Sequence, residues 1–282
     1  MAIHFENIKE CIGSRVSWDD RADIFTPEAA KAIREKVAER TVLVFPELNL
    51  TDEEQLAITN AIGPKVRLTN TTNVQSNDED VYQVTLDEKI NPQPEYVLGT
   101  FFWHMDGITV DMPPPFATLL SCRIAPAIGG ETEFASTYAA YEGLPEEEKQ
   151  ALEGLKAVHS VRASLSPIAD AIPEKHRERV LGIGLVKEHP LVWTHEDGRK
   201  SMVIGTTADH IVGMDVPAGR AMLVRLAEWA AQPAYSLRHK WKQGDFVIWD
   251  NTGAMHRAVP YAKSTGRMMH RTSIAGSEAV AA

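Results

Sequence analysis

His104 and Asp106 stand one residue apart in FFWHMDG (101–107), at the end of an aromatic, strand-like run. A strand sends alternate side chains to one face, so imidazole and carboxylate would point the same way and Met105 the other. Such a pair is either an exposed strand end or two-thirds of a metal site. His256 is the candidate third ligand. It follows the apolar strand FVIWD (246–250) and the turn NTGAM, just past a rigid element, as His104 is. Two imidazoles and one carboxylate on one side of a metal, with the other positions open, is the arrangement of non-haem Fe(II) oxygenases.

Two further features bear on this site. GGET (129–132) lies shortly after the first pair, and Arg267 and Arg271 follow His256, four residues apart on a strand-like segment. That spacing puts both guanidinium groups on one face, able to present two cations to one cavity. Gly107 leaves the backbone N–H beside Asp106 open to approach, a candidate donor to a substrate. The other histidines have plainer readings. His4, His176, His195 and His239 fall in polar or turn settings and read as solvated, His159 and His189 as core or turn residues bonded to backbone, and His270 as a sheet-packing ring opposite the arginines. Trp249 and Asn251 read as supports of the His256 strand.

The elements around these residues alternate between helix and strand signals. Residues 26–40 form an amphipathic helix with Thr26 as N-cap and Pro27 in its first turn. TVLVFPEL (41–48) is a buried strand stopped by Pro46, and Thr51 caps a second helix ending at Gly63. Strands are expected at 81–86, 113–126, 131–136 and 267–276, and helices at STYAAYEGL, PEEEKQALEGL, PEKHRERVLG and 219–232. Segments 189–195 and 200–205 flank EDG and predict a β-hairpin, and 235–241 with 246–250 around QGD a second one. The polar stretch 64–100 predicts a lid or insertion. One α+β domain over 1–282, built around a β-sandwich or barrel, fits this order.

Composition narrows the function classes. The formal net charge of −10 argues against a nucleic-acid or anionic-membrane surface, so any anionic ligand must be caught by locally placed Arg or Lys. No apolar run reaches the ~20 residues of a membrane helix. The acidic N-terminus has no signal-peptide pattern, and two widely spaced cysteines fit a reducing cytoplasm. No Gly-rich phosphate loop follows a strand.

At the level of whole motifs, the chain resembles the taurine dioxygenase and aryloxyacetate dioxygenase family of Fe(II)- and 2-oxoglutarate-dependent enzymes. The matching stretches are WHMDG, PPPFATLL, GGETEF with AAYEGLP, HPLVWTHEDGRKSMVIG, VIWDNTGAMHRAV and GRMMHRTSI, in family order from about residue 13 to 276. The resemblance implies a double-stranded β-helix (jelly-roll) core with flanking helices. It puts His104, Asp106 and His256 on the iron ligands, and Thr132 and Arg267 on the residues that hold the distal carboxylate of 2-oxoglutarate. Arg271 falls on the arginine that faces the substrate's anionic group. Iron(II), 2-oxoglutarate and dioxygen are the implied cofactor and co-substrates, and relatives commonly form homo-oligomers, dimers or tetramers.

The substrate is less legible. Arg271 argues for a carboxylate or sulfonate, and SMVIGTTADHIVGM (201–214) leans to the aryloxyacetate branch. No histidine occurs between His4 and His104, so a taurine-type sulfonate histidine is missing; an Asn or Thr of LTNTTNVQ (68–75) is the candidate replacement. A sulfonate or sulfate ester dioxygenase is the near alternative. A zinc hydrolase would lack a general-base carboxylate and leave Arg267 unexplained. A non-catalytic jelly roll that binds a small acid would have no use for three intact ligands.

Overall fold

The structure is a computed structural model that describes residues 3–66, 81–172, 174–182 and 184–281. In chain order the strands are β1 (Ile3–Asn7), β2 (Ser14–Trp18), β3 (Val42–Phe45), β4 (Lys65–Val66), β5 (Tyr82–Val84), β6 (Ala117–Ile124), β7 (Thr132–Ser136) and β8 (Lys156–Ser160). They continue as β9 (Val186–Pro190), β10 (Val192–Thr194), β11 (Lys200–Met202), β12 (Ala208–Ile211), β13 (Ser236–His239), β14 (Phe246–Asp250), β15 (Ala254–Ala258) and β16 (Met268–Ile274). The helices are α1 (Pro27–Arg40), α2 (Asp52–Ile62), α3 (Pro94–Gly99), α4 (Thr137–Glu142), α5 (Glu146–Leu152), α6 (Val161–Leu165), α7 (Glu174–Leu181) and α8 (Val216–Ala230).

An eight-stranded mixed sheet runs β1-β2-β3-β14-β6-β16-β4, with β5 also paired to β16. Its pleat sorts the core. Leu43, Phe45, Leu119, Phe246 and Ile248 pack against Ile33 and Val37 of α1 and Ile58 of α2. On the opposite face Val42, Val44, Leu120, Val247, Trp249 and Met269 meet Phe134 and Leu237 of a three-stranded sheet, β13-β7-β15. Alternate residues of one strand thus serve two layers. A second three-stranded sheet, β12-β8-β9, and the β10–β11 hairpin carry a further cluster centred on Trp193, Met202 and Leu226 of α8. Among the described residues no helix is long and apolar enough to cross a membrane.

Local signals account for the helix starts. Thr26 Oγ1 accepts from the Ala29 N–H at the head of α1, with Pro27 in the first turn. Thr51 and Glu54 satisfy each other's backbone N–H groups at α2, a reciprocal capping box. The EDG hairpin forms as β10–β11, with Trp193 opposite Ser201. Helix α8 begins at Val216, earlier than the expected 219, because Asp215 caps it through the Ala218 N–H.

Two expectations are overturned. FFWHMDG is not a strand: the Phe101 and Phe102 N–H groups bond back to Leu98 and Gly99 carbonyls, so the chain curls out of α3. His104 makes only an isolated bridge, and Asp106 opens a turn. The second hairpin does not exist either. β13 pairs with β7, whereas β14 lies between β3 and β6. A strand buried at all five residues, as FVIWD is, requires partners on both edges and layers on both faces, which one hairpin mate cannot supply. Asp245 ends the crossing by accepting from His239 Nε2 and from the N–H groups of Lys242 and Glu47. Of the expected 64–100 lid, residues 67–80, and with them LTNTTNVQ, lie outside the described residues; the rest contains β4, β5 and α3.

Candidate active site

The backbones of His104 and His256 exchange both hydrogen bonds, N–H to carbonyl at 3.0 and 2.8 Å. The ring centroids lie 4.2 Å apart. His256 belongs to β15 itself, with Phe134 of β7 opposite and Trp249 packed 4.7 Å from its ring. One ligand atom each from His104, Asp106 and His256 fall within 4.8 Å of one another, a group able to hold a metal ion. A side chain at Gly205 would lie 2.8 Å from the Trp103 carbonyl, so the segment after β11 can press on the His104 backbone only as glycine.

The donor atoms are aimed as well as grouped. His104 Nδ1 lies 2.8 Å from the Phe102 carbonyl, which can only accept, so Nδ1 carries the proton and Nε2 presents its lone pair. That nitrogen is 3.9 Å from Asp106 Oδ1. Asp106 Oδ2 accepts from Thr118 Oγ1 at 3.0 Å. His256 Nδ1 is buried with no hydrogen-bond partner among the described residues. Two imidazoles and one carboxylate, sparing in internal hydrogen bonds, fit a divalent first-row metal.

Electrostatics keep these groups in ligating form. Burial opposes ionisation of Asp106, but its interactions with His256, Arg271 and His104, together with the Thr118 hydroxyl, hold its carboxyl below the usual range. Burial, then His104, pushes His256 down to about 3 against the pull of Asp106. The resulting state is a carboxylate beside a neutral His256 imidazole, with Arg271 as the permanent positive charge that favours the anion.

Arg267, the candidate for the co-substrate's distal carboxylate, is 3% exposed. Its Nε donates to the Gly130 carbonyl at 3.1 Å, and its guanidinium sits 4.9 Å over the Tyr261 ring. Gly130 has φ +73°, and a Cβ there would come within 2.9 Å of Arg267 Cδ, so the second glycine of GGET makes room for the arginine stem. Thr132 Oγ1 accepts from Trp241 Nε1 at 2.9 Å, which leaves the threonine proton free to donate elsewhere. Arg271 lies in β16 opposite Tyr82, with its guanidinium 5.0 Å over that ring. The two arginines do not share one regular strand: Arg267 precedes β16, and the register shifts between Met268 and Met269. Gly107 has φ +77° and is half-buried.

Sequence reasoning missed Thr118, Trp241, Tyr261 and Tyr82. Trp241 reaches Thr132 because β13 and β7 pair, His239 against Thr132, a register that no local pattern announces. Two of the histidines read as solvated are not. His239 bonds Asp245, and His195 is 6% exposed, between Ser201 Oγ at 2.8 Å and Glu278 at 3.3 Å. His270 turns away from the site onto Asp52, as its strand face implies. His189 bonds the Ile108 carbonyl, and His159 the Thr207 hydroxyl.

Ser201 in turn donates to the Thr252 carbonyl, in the turn that precedes His256. Asp250, 1% exposed, accepts there from the N–H and hydroxyl of Thr252. Burial pushes its carboxyl up to about 6 from an ordinary 3.8. The folded state therefore holds this proton more tightly than the unfolded chain, and the stability involved is complete below about pH 4 and lost as pH rises through 6. Asp250→Asn should raise stability at pH 8 by about 3 kcal/mol, the linkage value of such a shift, with the gain absent at pH 4. Thermal melts at the two pH values check this; a variant melting no higher than the parent at pH 8 contradicts it.

Comparison with known proteins places this geometry. The family described as taurine catabolism dioxygenase TauD, TfdA family matches residues 4–273. An alpha-ketoglutarate-dependent 2,4-dichlorophenoxyacetate dioxygenase of Burkholderia sp. (strain RASC) is 32% identical over 263 residues, 89% of this chain and 87% of that protein. An (S)-phenoxypropionate/alpha-ketoglutarate-dioxygenase of Sphingobium herbicidovorans is 32% identical over 254 residues, 86% of this chain and 84% of that protein. The crystal structure of AAD-2 in complex with Mn(II) and N-oxalylglycine superposes with a TM-score of 0.81 at 30% identity, covering 99% of this chain and 100% of the other. With nearly its whole length matched and the three candidate ligands gathered, the chain belongs to the TauD/TfdA dioxygenase family.

Proposed function

We propose that the protein is an Fe(II)- and 2-oxoglutarate-dependent dioxygenase that hydroxylates a small anionic organic substrate, an aryloxyalkanoate-like carboxylate. The observation that carries this reading is the gathering of His104, Asp106 and His256 within 4.8 Å, with the positive charge of Arg271 acting on Asp106. In this reading the two imidazoles and Asp106 would hold the iron, a donor set suited to Fe(II). Bound Fe(II) with 2-oxoglutarate and dioxygen supplies the oxidising chemistry, and the co-substrate leaves as succinate and carbon dioxide.

The chain's own residues bind and orient. Arg267 offers a planar, permanently charged fork to the distal carboxylate of 2-oxoglutarate, and Thr132, its oxygen already occupied by Trp241, donates its proton to the same group. Arg271 takes the substrate anion, and the Gly107 N–H is a further donor to it. Hydroxylation next to an ether oxygen gives a product that collapses, so the net result is bond cleavage. The two sheets that enclose Phe134 and Trp249 form the halves of a double-stranded β-helix in this reading, within a single dioxygenase unit spanning 1–282. The free thiols of Cys11 and Cys122 accord with a cytoplasmic setting.

The test is succinate release with Fe(II), ascorbate and 2-oxoglutarate over a panel of aryloxyalkanoates, alkyl sulfonates, sulfate esters and small amino acids. Aryloxyalkanoates should stimulate release most. A preference for the sulfur acids would move the substrate to that branch, and activity with Zn(II) but none with Fe(II) would overturn the reaction class.

A further inference from the structure

Behind Asp106 two hydrogen bonds run inward in series. Thr118 Oγ1 donates to Asp106 Oδ2 at 3.0 Å, and Asn251 Nδ2 donates to Thr118 Oγ1 at 2.8 Å. Thr118 and Asn251 are both fully buried. The polarity is forced by proton count. A hydroxyl has one proton and an ionised carboxylate can only accept, so that proton must face Asp106 while Asn251 supplies the donor to Thr118. Turning the amide over would draw the proton to Asn251 and set Thr118 Oγ1 and Asp106 Oδ2 against each other, two oxygens at 3.0 Å with nothing between them.

Thr118 is held by the main sheet, and Asn251, which opens the turn after β14, is pinned by its own backbone. Thr118 lies in β6 opposite Trp249 of β14, and the Asn251 N–H bonds the Phe116 carbonyl at 3.0 Å. Asp106 itself opens a turn, so its backbone alone does not fix the rotation of its carboxylate. The hydrogen bond to Thr118 does, and the oxygen it leaves free is Oδ1, on the side of His104 Nε2.

We propose that Thr118, oriented by Asn251, is a positioning residue that occupies Asp106 Oδ2, restricts the carboxylate to ligation through Oδ1 alone, and so keeps a coordination position open for 2-oxoglutarate. This rests on the reading of His104, Asp106 and His256 as metal ligands. A carboxylate free to turn can ligate through both oxygens, and the second would take a position that the bidentate co-substrate requires. The residues behind a ligand then govern which other ligands the metal accepts.

The experiment titrates Mn(II) into the full-length protein, followed by EPR, and then 2-oxoglutarate into the Mn(II)-loaded form. Thr118→Val, which removes the hydroxyl at nearly constant volume, should keep Mn(II) binding while 2-oxoglutarate binding weakens by about 10–100-fold, the range for losing a partner behind a ligand. Thr118→Ser should bind 2-oxoglutarate like the parent. Asn251→Asp presents an acceptor to Thr118, diverts its proton and should reproduce the effect of Thr118→Val. Should Thr118→Val not fold, the contrast between Thr118→Ser and Asn251→Asp decides the matter. Equal 2-oxoglutarate affinity in the parent, Thr118→Val and Asn251→Asp overturns the proposal. So does a parallel loss of Mn(II), 2-oxoglutarate and thermal stability, which would mark these residues as merely structural. A parent protein that binds neither Mn(II) nor 2-oxoglutarate overturns the reading of the site itself.

Discussion

His256→Ala should abolish the substrate-dependent succinate release expected of the protein, and His104→Ala should do the same. Each removes one of only three protein donors, so the loss should exceed the ~10–100-fold typical of removing a partner behind a ligand. The two variants differ in what else they disturb. His256 lies in β15 between the rings of Trp249 and Phe134, and truncation leaves a cavity there. His104 stands in a bridge whose backbone bonds need no side chain, so His104→Ala should melt closer to the parent. Mn(II) binding measured beside turnover separates a lost ligand from a lost fold. Parent-like turnover in either folded variant would remove the iron mechanism.

Arg267→Ala and Arg271→Ala should fail in different ways. Arg267 is buried and braced by the Gly130 carbonyl and the Tyr261 ring. Hydrogen bonds to charged groups are worth about 1.5–3 kcal/mol, so losing this fork should raise the 2-oxoglutarate requirement by about 10–100-fold. The KM for the organic substrate should change little. Arg271 lies over the exposed Tyr82, and Arg271→Ala should chiefly raise that second KM. Steady-state kinetics with each co-substrate varied in turn distinguishes the two, and the opposite pattern would mean that the two arginines exchange roles. Arg267→Lys should recover only part of the loss, because an ammonium cannot match a carboxylate with two parallel donors.

What the sequence disclosed and what it hid divide along chain separation. Thr26, Thr51 with Glu54, and the EDG turn act over a few residues, and each is found where local chemistry puts it. The candidate trio is legible through the family resemblance, because His-x-Asp with a remote His is a common pattern by itself, and the structure gathers the three residues. The geometry expected for it is wrong, however. His104 and Asp106 do not converge by strand alternation but because a turn and a bridge to β15 bring them there. The failed hairpin has the same origin. FVIWD and YSLRHKW are near in sequence, yet each pairs with strands more than a hundred residues away in at least one register, which apolar patterning cannot specify. Trp241, Thr118 and Tyr82 enter the site through those registers. His195 looks solvated in sequence because its partner, Glu278, arrives from the far C-terminal segment.

The backbone bridge between His104 and His256 also bears on the order of assembly. Main-chain amides and carbonyls, rather than bonds to an ion, set these two residues side by side. The conformational entropy of closing that long loop is charged to folding, not to metal capture. Apoprotein should consequently keep its melting cooperativity, with the ion adding only mass-action stabilisation that grows with its concentration.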